Sequence, residues 1–186
     1  MAGVDFATFG KLFAEDRIDV PVAIITDGDP KVTCDSGSSN RETGRPLRDA
    51  NGTIQPCDRL LKLRTDFADN KLVRIFSSNV TLEYDLAAAS VGNALHMHDA
   101  WMRCYQRSPR TLTRAQLAAA STSEERALLL WRALCLGEPT HGKADAAQEL
   151  AGLLDEQDDT GSSRIADFAI PEYLQNAIKH AARLPT

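Results

Sequence analysis

The stretch that most limits what this chain can become is an unbroken apolar, β-branched run, Val20 to Asp27 (VPVAIITD), which stops on Gly28, Asp29 and Pro30. Runs of this kind suit a strand covered on both faces, as in a parallel sheet. A second apolar run, Lys71 to Ser78 (KLVRIFSS), reads as another strand. Thr81 then stands as a helix N-cap, and LEYDLAAAS continues as a helix. Strand, strand and helix in this order predict an α/β core.

The remainder is read around that core. Phe6, Phe9, Leu12 and Phe13 recur at helical spacing and predict a short opening helix over Phe6 to Phe13. Lys31 to Asp58 is rich in Gly, Pro, Ser, Asn and Arg and reads as a long polar excursion, with a hairpin turn at Asn51-Gly52. From Leu86 to Leu154 the chain is helical in character, with Thr111 or Thr113 capping one helix and Ser121 or Ser123 the next. An acidic, Gly/Ser-containing linker follows. The final helix is expected to carry Pro171 in its first turn and to run to the end. The expected division is a core over 1–85 with its polar excursion at 31–59, a helical insertion over 86–160, and a C-terminal helix within 161–186 that returns to the core.

Composition narrows the class. With 43% hydrophobic residues in a chain of 186, whole-chain disorder is excluded and one sizeable core is possible. The 21 basic residues are outnumbered by 26 acids, so the chain is not a generally basic nucleic-acid coat protein, although a local basic face is compatible with it. No apolar run reaches the roughly 20 residues of a membrane span, and the first residues lack the basic start and apolar stretch of a secretory signal. Cys34, Cys57, Cys104 and Cys135 are scattered and lack CxxC pairing, which suits reduced thiols and a cytoplasmic setting, not a disulfide framework or structural zinc.

Chemistry concentrates at two places. Asp27 and Asp29 sit two apart at the end of a strand, and in extended backbone such side chains point the same way. They would emerge together at the carboxyl edge of the sheet, where α/β proteins place ligands, and two carboxylates so close call for a cation. A strand-ending turn uses the same residue types. Glu83 and Asp85, in the first turn of the helix after the second strand, would open onto that same edge. Acidic residues also occur there simply because they favour the helix dipole.

The ordered set GVDFATFGKLF, VAIITDGDP, SSNVTLEYDLA, GKADAAQELA and FAIPEYLQNAI resembles the TOPRIM nuclease region of the OLD (overcoming lysogenization defect) family. The resemblance implies a TOPRIM-like parallel sheet core with a helical insertion, and a Mg²⁺- or Mn²⁺-dependent DNA endonuclease. It makes Asp27 and Asp29 the metal-binding DxD, Glu83 the acid after the later strand, and Ser77 or Ser78 a further oxygen ligand. Lys143 matches the lysine that neutralises charge at the scissile phosphate. Hydrolysis would use two ions, one activating water and one stabilising the leaving oxygen. Family members also carry a glutamate on an earlier strand, and Glu15 and Asp16 come too late to match it. The chain is therefore expected to be a fragment of a longer protein with an N-terminal ATPase domain, and oligomers are expected only in that longer chain.

DNA would need a cationic approach. Arg41, Arg45, Arg48, Arg59, Lys62 and Arg64 lie in one stretch against Glu42, Asp49 and Asp58, and Arg103, Arg107, Arg110 and Arg114 form a second cluster. Other patterns fall away. Gly137 to Ala144 (GEPTHGKA) is one residue short of a phosphate-binding loop and lacks its hydroxyl. His96 and His98 are two apart on a helix and face different ways. A haloacid-dehalogenase-like phosphatase also begins with a strand and DxD, but wants Thr or Val where this chain has Lys31. A non-catalytic, metal-stabilised DNA-binding or assembly module is the remaining alternative.

Overall fold

The computed structural model describes residues 6–14, 16–104, 112–136, 143–157, 161 and 164–185, without the side chains of Phe6, Ala7 and Lys143. Within them the chain is mixed α/β and forms two compact units. The first is assembled from three stretches, Met1–Lys31, Arg48–Thr81 and Pro171–Thr186. The second comprises Val32–Leu47 and Leu82–Ile170.

The first unit holds the parallel sheet. Helix α1 (Phe6–Gly10) precedes strand β1 (Val22–Thr26). The opening helix is shorter than its apolar spacing predicts, because turns take over at Lys11 and Leu12. The N–H of Leu12 and Phe13 there donate to Phe9 and Gly10 carbonyls. Later in the same unit come helix α3 (Asp58–Asp66), strand β4 (Val73–Ser77) and helix α9 (Glu172–Ala181). β1 and β4 are parallel, with Val22 opposite Val73 and Thr26 opposite Ser77. Ile24 and Val73 from the strands meet Leu63 and Phe67 from the α3 side, with Phe13, Val22 and Ile75 packed around them. Helix α9 also packs on both strands. His180 Nε2 donates to Leu72 O at 2.8 Å, and its ring lies 5.8 Å from that of Phe76. The helix stops at Ala181 and does not run to the end; Arg183 turns left-handed (φ 54°), and its guanidinium donates to Asp19 O.

The polar excursion is more ordered than its composition suggests. Strands β2 (Val32–Thr33) and β3 (Arg45–Pro46) pair antiparallel around a short helix α2 (Asn40–Thr43). Ser39 and Glu42 close a reciprocal capping box on α2. These residues pack with the second unit, whereas the next turn belongs to the first. There Arg48 bridges Ile54, and Gly52 adopts φ 81°, which a side chain would strain. The hairpin expected at Asn51-Gly52 is therefore present.

The second unit is helical. Helices α4 (Leu82–Ala89), α5 (Val91–Cys104), α6 (Arg114–Ala119), α7 (Ser123–Cys135) and α8 (Lys143–Asp155) are followed by a 3₁₀ turn, Arg164–Asp167. α4 packs on α5 and α7, and α5 on α8. Leu86, Leu130, Leu134 and Leu153 are buried, and Tyr84 meets Trp131 edge-on with ring centres 6.2 Å apart. Thr113 caps α6 with a capping box to Gln116. The cap of α7 is Thr122, between the two serines that the sequence suggested, because its hydroxyl reaches Glu125 N while Ser121 binds the Glu125 carboxylate. Buried Arg126 donates to Ala87 O and Ala88 O, satisfying carbonyls that the end of α4 leaves open. Among the described residues no helix is long and apolar enough to cross a membrane, and none of the four cysteines is in a disulfide.

Candidate functional site

The carboxyl ends of β1 and β4 lie on one edge of the parallel pair, so the turn after β1 meets the turn after β4. Three bonds stitch them together. Ser78 N donates to Thr26 O (3.2 Å), Gly28 N to Ser78 Oγ (3.2 Å) and Asp29 N to Val80 O (2.9 Å). From the other side Cys57 N, at the start of α3, donates to Gly28 O at 2.8 Å. Gly28 is held so closely that a Cβ there would lie 2.6 Å from Asn79 O and 2.8 Å from Ser78 O. Both are backbone atoms that cannot turn aside, so the position requires glycine.

Within this frame the two aspartates take separate partners. The Ser78 hydroxyl donates to Asp27 Oδ1 at 3.2 Å. Arg59, in the first turn of α3, donates Nη2 to Asp29 Oδ2 at 2.8 Å and to Thr26 Oγ1 at 3.4 Å. The alternation argument that aims both carboxylates the same way does not extend to this pair. The strand ends at Thr26, and Asp29 is left-handed with φ 42°. Aspartate tolerates that region better than most residues, and the turn holds it there. Ser77 and Ser78 also divide: Arg64 Nη2 donates to Ser77 Oγ at 2.9 Å, whereas buried Ser78 faces Asp27 and Gly28. Of the two serines, Ser78 is the one whose hydroxyl oxygen lies against the DxD turn.

The donor set at this edge is all oxygen, which is the chemistry of a hard divalent cation, and Mg²⁺ is commonly held by one or two carboxylates with waters and substrate phosphate completing its shell. Asp27 and Asp29 are the two carboxylates of that set. Among the described residues no three His, Cys, Asp or Glu side chains are gathered as a metal cluster. Without an ion, Arg59 supplies the countercharge for Asp29.

The other predicted residues divide between the two units. Glu83 belongs to the second unit, where it lines a small apolar cavity of about 50 Å³ with Leu86, Met97, Leu134 and Leu150, and its Oε2 is closed off from solvent. Asp85 beside it is buried. Lys143 is the first residue of α8. Arg41 on α2 and Arg45 on β3 are exposed on the second unit. Arg48, on the first unit, donates back across the hairpin to Gly52 O. In the second arginine cluster, Arg103 makes a two-pronged pair with Glu156 (2.7 and 2.9 Å), and Arg114 pairs with Asp99. Arg103 holds the Glu156 carboxyl below its usual range. Arg107 and Arg110 lie outside the described residues.

Sequence reasoning counted Arg59 and Arg64 only as general basic charge, yet they touch Asp29 and Ser77 directly. It passed over Arg132, whose Nε donates to Gly44 O at 2.7 Å. Burial, and then the nearby Arg45 charge, lowers the Arg132 pKa from the usual arginine value. Of the histidine pair on α5, buried His98 donates Nε2 to Leu112 O at 3.0 Å, and half-buried His96 is made harder to protonate by burial, then by Arg164. No protein family, curated protein or solved structure matches this chain.

Proposed function

We propose that the first unit is the metal-binding part of a TOPRIM-like core, and that the chain acts as the nuclease portion of an OLD-type, metal-dependent DNA endonuclease. The observation that supports this reading is the stitched edge itself, with Asp27 and Asp29 on a turn tied to the end of the neighbouring parallel strand. Asp27 and Asp29 would hold the ion, with Ser78 orienting Asp27. A bound divalent ion supplies an activated water and charge stabilisation at the leaving oxygen. Arg59 balances the Asp29 charge, and the exposed Arg41 and Arg45 offer contacts for a phosphate backbone without reading its sequence. The resemblance gives Glu83 and Lys143 parts in the same reaction, and their variants are assayed separately.

The Arg59–Asp29 pair favours a second reading, a non-catalytic module, because it already neutralises one of the two carboxylates. Supercoiled plasmid separates the two. With Mg²⁺ or Mn²⁺ the nuclease reading expects nicking or linearisation that Asp27→Asn abolishes. Mn²⁺ binding, followed by electron paramagnetic resonance, is expected to weaken in the same variant. Ion binding without strand cleavage would select the non-catalytic module. Cleavage that survives Asp27→Asn would overturn the site assignment.

A further inference from the structure

Among the described residues the sheet of the first unit has two strands, β1 and β4. A strand at a sheet edge presents a row of backbone groups able to pair with another chain. The ladder shows which groups these are on β4. Leu72 O accepts from Val22 N, and Ser78 N donates to Thr26 O. The N–H and C=O of one residue point to the same side of a strand, and the side alternates along it. Arg74 and Phe76 therefore face β1, while Val73, Ile75 and Ser77 face outward. Asn70 Oδ1 takes the Val73 N–H at 2.9 Å. The outer edge thus offers the amides of Ile75 and Ser77 and the carbonyls of Val73, Ile75 and Ser77.

This edge is open. A groove of about 640 Å³ runs beside it, walled by Arg64, Phe67 and the 69–71 turn, with four successive strand residues, Val73 to Phe76, and none from β1. Its charge is one-sided: Arg64, Lys71 and Arg74 line it against a single acid, Asp69. The adjoining hollow shares Asp69 and Lys71 with this groove and adds two further acids, Asp16 and Asp66, the latter paired with Lys62. A row of cations would repel the identical edge of a second copy, a device by which edge strands avoid self-pairing. The same row attracts an extended segment of opposite charge.

We propose that the outer edge of β4 is a docking site for an extended acidic peptide segment of a partner protein, which adds as a third strand while Arg64, Lys71 and Arg74 select its charge. This does not rest on the nuclease reading. The test uses the full 186-residue chain and a fluorescein-labelled octapeptide alternating valine and glutamate. By fluorescence anisotropy it should bind at least about tenfold more tightly than its valine–lysine counterpart, and Arg74→Glu should weaken it by a similar factor with the circular dichroism unchanged. Amide exchange by NMR should slow at Ile75 and Ser77 on binding, with little change at Arg74 and Phe76, whose amides already face β1. Absent binding, equal binding of both peptides, or protection away from β4 would overturn the proposal. So would slow exchange at Ile75 and Ser77 in a self-associated chain without peptide, which would assign the edge to a second copy. Protection of the same amides by a thymidine oligonucleotide alone would assign it to nucleic acid.

Discussion

Gly28 and Arg59 show how much of the site depends on single side chains, or on the lack of one. A methyl group at Gly28 would press on two backbone oxygens, and overpacking of this kind costs about 1–3 kcal/mol. Gly28→Ala is expected to lower stability by that amount in urea melts, and to loosen the bond from Gly28 N to Ser78 Oγ. Arg59 is a different case. Its pair with Asp29 is half exposed on both sides, so it contributes under about 1 kcal/mol to stability. Arg59→Gln should leave the melting curve nearly unchanged and tighten Mn²⁺ binding several-fold by removing a competing cation; unchanged or weaker binding would show that Asp29 is no ligand. Neither interaction was legible in the sequence as such. The glycine between two aspartates was visible, but its tight contact is with residues fifty positions later, and Arg59 reaches Asp29 only because α3 starts where Cys57 N meets Gly28 O.

The elements were read with uneven success, and the reasons are physical. β1 announces itself as an unbroken apolar, β-branched run and β4 as a second apolar stretch around Arg74, and α4 follows Thr81 as its apolar pattern implies. The β2–β3 pair escaped notice because two-residue strands carry no period, and its register depends on the capped turn of α2 between them. Caps were found only to within one residue, since Ser121, Thr122 and Ser123 are equivalent as sequence and only their geometry separates them. That geometry has a pH signature. Bonds from Ser121, and then the Thr122 backbone N–H, hold the Glu125 carboxyl below its ordinary value of 4.5. The folded state thus favours the charged form, and this contribution is complete above that value and is lost as pH falls through the lowered one. Glu125→Gln should flatten the acid limb of α7 stability, measured as amide exchange in that helix between about pH 5 and 3; an unchanged acid limb would show that the cap does not sense pH.

At the scale of the molecule, the succession of strand, excursion, strand and helices was legible, but not which stretches group together. Hydrophobic runs do not say that Val32–Leu47 packs with the helices while Arg48–Thr81 packs with the sheet, because that grouping arises from contacts between residues distant in sequence. Ala177 on α9 tests it. The residue is 1% exposed on a helix that packs on β1 and β4. Ala177→Glu places an unpaired charge in that contact, with an expected loss of about 3 kcal/mol. Exchange should quicken at β1 and β4 and hold steady in α7; a uniform change would mean that the two units unfold as one. The threading of the first unit also sets a timetable for synthesis. β1 and β4 leave the ribosome before α9, the helix that packs on them, which is encoded after the whole of Leu82–Ile170. The helical unit can gather its contacts while the chain is still growing, whereas the sheet must wait, half-covered, for residues 171–186, and in that interval its apolar strands are what a chaperone would find.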